Sequence, residues 1–166
     1  MVKPKVAIIA AMLVAAAAIW FFCFHKTDKD RVLERLRELT EYISKADGEK
    51  GTTLILKSQL IGTLFAEKFE VNVDFYSLSG TYSPEEIGAN LVRSRQVLDA
   101  VQLTFHDTKV TFPQPEKAVV NTTGQIVGKA KNGDRIREIR ELTFTLTNTD
   151  GKWRFASCKV REVLRK

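Results

Sequence analysis

Residues 6–24 read VAIIAAMLVAAAAIWFFCF, an unbroken run of 19 apolar residues with no counterpart later in the chain. At ~1.5 Å per residue a helix of that length covers about 28 Å, the thickness of a bilayer's hydrocarbon core. The run therefore reads as a transmembrane anchor behind a short basic tail, residues 1–5, with residues 25–27 as a junction. A cleaved signal peptide is the rival reading, because Lys3 and Lys5 supply a basic start and residues 15–18 are all alanine. Cleavage there would expose Ile19, Trp20, Phe21, Phe22 and Phe24 at a new N-terminus, whereas these bulky residues suit the interfacial end of a span. Cys23 follows Phe22 and so lacks the small neighbour of a bacterial lipidation site.

Beyond the anchor the apolar period becomes helical. Thr27 or Asp28 can cap a helix in which Val32, Leu36, Leu39 and Ile43 recur three or four residues apart. The opposite side, with Arg31, Glu34, Arg35, Arg37, Glu38 and Glu41, reads as a solvated face laced with ion pairs. Gly48 and Gly51 end this helix, and a second, more apolar and so more buried one begins at Thr52, carrying Leu54, Ile55, Leu56, Leu60, Ile61, Leu64 and Phe65. Residues 68–76 alternate, with Val71, Val73 and Phe75 opposite Glu70, Asn72, Asp74 and Tyr76, which predicts a strand with two unlike faces. Ser83, Pro84 and Glu86 then form the start signal of a third helix, whose stripe is Ile87, Leu91 and Leu98 and whose exit is at Asp99 and Ala100.

From Val101 onward the period is two. Four strands are predicted, over residues 101–112, 117–131, 135–147 and 152–163. Pro113 and Pro115 interrupt the first link; Asn132 with Gly133 and Asp150 with Gly151 predict two type I′ hairpins. In the third of these strands Leu142, Phe144 and Leu146 alternate with Thr143, Thr145 and Thr147, so one face is core and the other threonine-rich. The expected class is α+β: an N-terminal transmembrane helix, then over residues 28–166 a cone-shaped domain of three helices packed on a curved, mainly antiparallel sheet.

Charge adds location more than chemistry. The net charge is +6, and since Lys3 and Lys5 are the only charged residues among the first 24, the remainder of the chain carries +4. Basic and acidic residues are interspersed without a basic stripe, which argues against a nucleic-acid partner. A positive-inside count sets Lys3 and Lys5 against Lys26, Lys29, Arg31, Arg35 and Arg37 and favours a cytoplasmic domain. Against it, a five-residue tail is typical of a signal anchor, and long domains translocate largely regardless of charge. The extracytoplasmic side, periplasmic in a bacterium, is the preferred expectation, with the cytoplasmic one left open. On either side Lys26, Lys29 and Arg31 would lie beside lipid headgroups.

Cys23 and Cys158 are the only cysteines, and the first lies in the apolar run, so no disulfide is expected within the domain. His25 and His106 are the only histidines, and no zinc-type spacing exists. Asn121, Thr122 and Thr123 match a glycosylation acceptor, but inside a predicted strand. With no phosphate-cradling glycine loop or nucleophile triad in view, neither cofactor nor metal is expected.

The segments LFAEKFEVNVDF (64–75), SPEEIGANL (83–91) and NTDGKWRFASCKV (148–160) give the chain a resemblance to the nuclear transport factor 2-like superfamily, also called SnoaL-like or cystatin-like, over nearly all of residues 28–164. The resemblance implies a pocket between the helices and the concave sheet face. It also implies an acid near the end of the first strand in the superfamily's enzymes, for which Asp74 is the nearest residue, with Tyr42 and Tyr76 nominated for an oxyanion hole. Isomerases, dehydratases, cyclases, transport adaptors and secretion-system assembly domains all share this architecture, so fold alone selects no activity.

The residues themselves weigh against catalysis. Asp74 follows Val73 in strict alternation, which sends it away from the core. His106 beside Asp107 suggests an acid/base pair, yet adjacent strand residues point to opposite faces, and His106 shares its side with Thr104 and Thr108. Glu138 and Arg140 share the parity of Leu142 and Phe144 and would reach the mouth of a pocket. The leading expectation is a binding or assembly module, either a homodimer through Thr143, Thr145 and Thr147 or a component joined to another envelope protein. The alternative is a small-molecule pocket protein or a lyase/isomerase-like enzyme, and a third reading is lipid-surface sensing through Lys26 and Lys29. An interior filled by Leu, Phe and Trp would count against the enzyme.

Overall fold

A computed structural model of the chain describes residues 26–46, 48–74 and 78–162. The expected anchor, residues 6–24, and Tyr76 lie outside them. Among the described residues no helix is long and apolar enough to cross a membrane. Residues 26–31 belong to one unit of the chain, and Val32 onward forms another.

Helix α1, Asp28–Ile43, is opened by a reciprocal pair: the Asp30 N–H donates to Thr27 Oγ1 at 3.2 Å and the Thr27 N–H donates to Asp30 Oδ2 at 3.0 Å. Thr27 is thus the cap. Val32, Leu36 and Leu39 are buried at the expected spacing, while Arg35 with Glu38 (2.8 Å) and Arg37 with Glu34 (3.5 Å) form ion pairs along the helix. Helix α2, Gly51–Gly62, is less buried than its composition suggests: only Ile61 and Gly62 are fully covered, and Ile55 and Leu56 are 60% and 55% exposed. Successive residues turn about 100° around a helix, so apolar positions 54–56 span more than the single face that packs. Leu64 and Phe65 lie beyond this helix, and both are buried.

Strand β1, Phe65–Val73, starts three residues before the predicted alternation and pairs antiparallel with β2, Leu78–Tyr82, which the sequence reading did not anticipate. Helix α3, Pro84–Val97, has the expected capping box, with Ser83 and Glu86 bonding each other's backbone. It ends one residue before Leu98, which opens β3, Leu98–Gln114, instead of completing the helical stripe. Three more strands follow: β4 (Lys117–Ala130), β5 (Arg135–Thr149) and β6 (Lys152–Glu162).

The sheet order is β2-β1-β6-β5-β4-β3, antiparallel throughout except where β1 runs parallel to β6. Strand β3 lies at an edge and so continues through Pro113, whose missing N–H costs no ladder bond there. The two hairpins differ. Asp150 and Gly151 both have positive φ (54° and 73°), as a type I′ turn requires. At the other, Gly133 alone is left-handed (φ 95°) and its N–H donates to the Ala130 carbonyl at 2.9 Å, so this turn is a three-residue loop and not type I′.

Ala118, Val120, Phe144, Leu146, Phe155 and Cys158 line the inner sheet face and meet Val32, Leu36, Leu39 and Leu91 from the helices. A chain of aromatic contacts runs through this core: Phe69 to Phe65 (centroids 4.6 Å apart), Phe65 to Phe155 (5.5 Å), Phe155 to Phe144 (5.2 Å) and Phe144 to Phe105 (5.9 Å). The aromatic edges and faces contribute on top of the apolar area they bury.

Candidate functional site

The space in which the resemblance implied a pocket, between the helices and the inner sheet face, is filled by these apolar and aromatic side chains. Its one thiol is no nucleophile: burial pushes the Cys158 thiol up to about 12, so it stays protonated. Tyr42 is half-buried at the margin of this core, and desolvation first, then Glu38 and Glu41, raise its hydroxyl above the ordinary value.

Asp74 lies on the other side of the sheet. Its carboxylate is paired with Lys159 (3.3 Å) and Arg161 (3.6 Å), in line with the alternation that sets it opposite Val73. Both contacts are exposed pairs, so Asp74→Ala is expected to change stability by less than about 1 kcal/mol in urea denaturation; a larger loss would mean the carboxylate has a buried role. His106 is exposed, with Nε2 3.3 Å from Thr104 Oγ1. Its neighbour Asp107 adopts positive φ (52°) in a bulge, where the buried Thr122 hydroxyl donates to the His106 carbonyl at 2.9 Å. The bulge is a backbone feature held by Thr122, and His106 and Asp107 form no acid/base pair. Glu138 and Arg140 form an ion pair (2.7 Å) on β5. Both are partly solvated there.

Near the start of α1, Arg31 pairs with Asp28 at 3.8 Å. The Asp30 carboxyl is held below its usual range, first by the Thr27 side-chain hydrogen bond and then by the Thr27 backbone bond. Thr143, Thr145 and Thr147 sit on the outer sheet face as expected, half-buried, with Thr143 Oγ1 donating to Asn121 Oδ1 at 2.8 Å. Paired beside them are Val119 and Asn121 on β4 and Ser157 on β6, a small uncharged strip bordered by Lys117, Arg154 and Lys159 and, one strand further out, by Lys109 opposite Asn121 and Glu70 opposite Ser157.

An open cleft of about 1440 Å³ does exist, but elsewhere: it is bounded by Gly62–Thr63, Pro84–Glu85, the start of β1 and the β5–β6 hairpin. Tyr42, Glu138 and Arg140 do not line it. Its charged side chains, Arg35, Glu67, Lys68, Glu85, Asp150, Lys152 and Arg154, are of mixed sign, and Glu85 is held below the usual carboxylate range by its own backbone hydrogen bond and then by Ser83. No group of three or more His, Cys, Asp or Glu able to hold a metal ion occurs among the described residues.

One polar cluster escaped the sequence reading. Arg95, on the inward face of α3, is only 4% exposed; its Nη2 donates to the carbonyls of Tyr42 in the last turn of α1 (3.1 Å) and of Ser44 just past it (3.0 Å). Lys57 donates to the same Ser44 carbonyl (2.9 Å) and to Glu49 (2.6 Å), with Lys57 and Glu49 side chains 16% and 9% exposed. Arg95 follows Leu91 by four residues, so a cation on an apolar helical stripe was its available signal. Glu49 and Lys57 carry no such signal, since tertiary packing alone brings them there.

The sequence matches no known family profile and no curated protein. Solved structures do match. The Kfla4162 protein of Kribbella flavida superposes with a TM-score of 0.67 at 15% identity, over 84% of this chain and 93% of its own. A hexachlorocyclohexane dehydrochlorinase (LinA, type 2) gives 0.64 at 12% identity, over 80% of this chain and 82% of its own. A protein with a cystatin-like fold from Caulobacter vibrioides gives 0.60 at 12% identity, over 81% of this chain and 89% of its own. At such identities the likeness is one of fold: three helices on a curved mixed sheet, the α+β cone of nuclear transport factor 2-like, SnoaL-like and cystatin-like proteins.

Proposed function

We propose that this chain is a single-pass membrane protein whose cone domain, on the extracytoplasmic side, works by binding: two copies join through the outer face of the sheet. The observation that carries this reading is the packed interior. A cone whose centre holds Phe65, Phe69, Phe144, Phe155 and Trp153 has no room for a substrate there, and Asp74 and His106 face away from it. What the fold leaves available for function is its outside. The uncharged patch of Val119, Asn121, Thr143, Thr145 and Ser157 resembles the charge-depleted centre of a protein interface, and charges near its ends suit a polar rim.

The alternative, a small-molecule pocket or lyase-like chemistry of the kind the LinA neighbour's name describes, finds no support in the aromatic centre, where no polar set converges among the described residues. Placing an arginine in the patch tests the binding reading. Thr145→Arg sets two like charges against each other across a two-fold interface, and it is expected to weaken self-association of the detergent-solubilised full chain at least tenfold by sedimentation analysis. Unchanged association would move the contact to another surface.

A further inference from the structure

Among the described residues, the cluster around Arg95 sets one carboxylate, Glu49, against two cations. A guanidinium has five N–H donors. Nη2 contributes its two to the Tyr42 and Ser44 carbonyls, closing the C-terminal end of α1, while Nε and Nη1 are buried without a hydrogen-bond partner. Three N–H groups therefore face the interior unsatisfied, in a side chain 4% exposed. Lys57 Nζ bonds the same Ser44 oxygen, which brings the two cations to within a shared acceptor of each other. Glu49 is the carboxylate that acts on both, bonding Lys57 directly and favouring the charged form of Arg95, which desolvation opposes more strongly.

Among the described residues, two cations and one carboxylate make up the cluster, an excess of positive charge. An uncompensated buried charge and unmade charged hydrogen bonds are both costly, and a bound anion relieves both together. The donors are of the type that binds oxyanions: a planar guanidinium with an ammonium beside it. The surroundings also differ from those of a purely structural arginine, which would have all its donors met by carbonyls. Lys57 and Glu49, each slightly solvent-touching, lie on the water side of the cluster, so a ligand would enter by displacing that pair rather than by opening the aromatic core.

We propose that Arg95 and Lys57 form a binding site for a single small oxyanion, a carboxylate or phosphate group, beneath the segment that joins α1 to α2. The test is titration calorimetry of the full-length protein in a neutral detergent, with inorganic phosphate and, separately, acetate as probes and with chloride keeping ionic strength constant. One saturable site is expected for at least one probe; the preferred probe tells phosphate chemistry from carboxylate chemistry. Arg95→Gln is expected to abolish it, and Lys57→Gln, which leaves the buried guanidinium in place, to weaken it about tenfold. No saturable heat from either anion would overturn the proposal, as would Arg95→Gln protein that retains its circular dichroism spectrum and binds unchanged. Should Arg95→Gln fail to fold, Lys57→Gln decides: unaltered affinity counts against the site.

Discussion

Phe155→Ala is expected to remove about 3–5 kcal/mol of stability, the range for deleting a large side chain from a core that cannot collapse around the void. Phe155 is fully buried, its ring lies 5.5 Å from that of Phe65 and 5.2 Å from that of Phe144, and its N–H donates to the Leu64 carbonyl at 2.8 Å. The side chain thus fills the seam where β6 meets β1, the one parallel pairing in the sheet, and it links both to β5. The backbone around it is fixed by ladders on either side, so little of the cavity can be recovered by relaxation. Phe112→Ala is the matched control. That ring is 40% exposed and contacts Trp153 at 5.7 Å, so its loss is expected to cost about 1 kcal/mol. Guanidinium denaturation followed by tryptophan fluorescence distinguishes the two, and equal losses would contradict the account of the core.

Gly88→Ala is the second large effect, and here two magnitudes compete. Within a helix, alanine is favoured over glycine by ~1 kcal/mol. A Cβ at residue 88, however, would lie 2.5 Å from the Ser58 carbonyl oxygen, a backbone atom of α2 that cannot rotate aside. Overpacking of this kind costs roughly 1–3 kcal/mol, and contact with backbone belongs at the upper end. A net loss of about 2 kcal/mol is therefore expected, with Gly88→Val losing more. Gly51→Ala, where nothing lies within 4 Å, is expected to be neutral or slightly stabilising. If Gly88→Ala proved as harmless as Gly51→Ala, the close crossing of α2 and α3 would be wrong.

Much of this architecture was legible because its signals are local. The capping box at Ser83 and Glu86, the alternation through β5 and the left-handed Asp150–Gly151 turn each need only neighbouring residues. The same alternation correctly turned Asp74 away from the core. Strand β2 was illegible for the opposite reason: LSGTY has little β-branched or alternating character and holds its shape by pairing with β1. The turn at Gly133 follows the same logic, since an Asn-Gly pair is compatible with both loop lengths and the register of β4 on β5 decides between them. Residues 54–56 look like core by composition, but the helix they occupy has only one packed side, so Ile55 and Leu56 remain outside.

The candidate site was less legible than the fold. Reading Glu138 and Arg140 as inward-facing was correct in parity, yet parity says nothing of where the helices stop covering the sheet, and the pair is partly solvated. Arg95 shows the converse: its place on the helical stripe was readable, but its two carbonyl partners and its proximity to Lys57 depend on how the end of α1 meets α3.

On the proposed function, the domain acts through its outer sheet face rather than through an interior pocket. The most direct test is light scattering coupled to size exclusion on the full-length chain in detergent, with the polypeptide mass separated from the micelle over a concentration series. A species of twice the 18.8 kDa chain mass is expected, reverting to monomer in the Thr145→Arg variant. A parent protein that stays strictly monomeric at the highest concentration would contradict it.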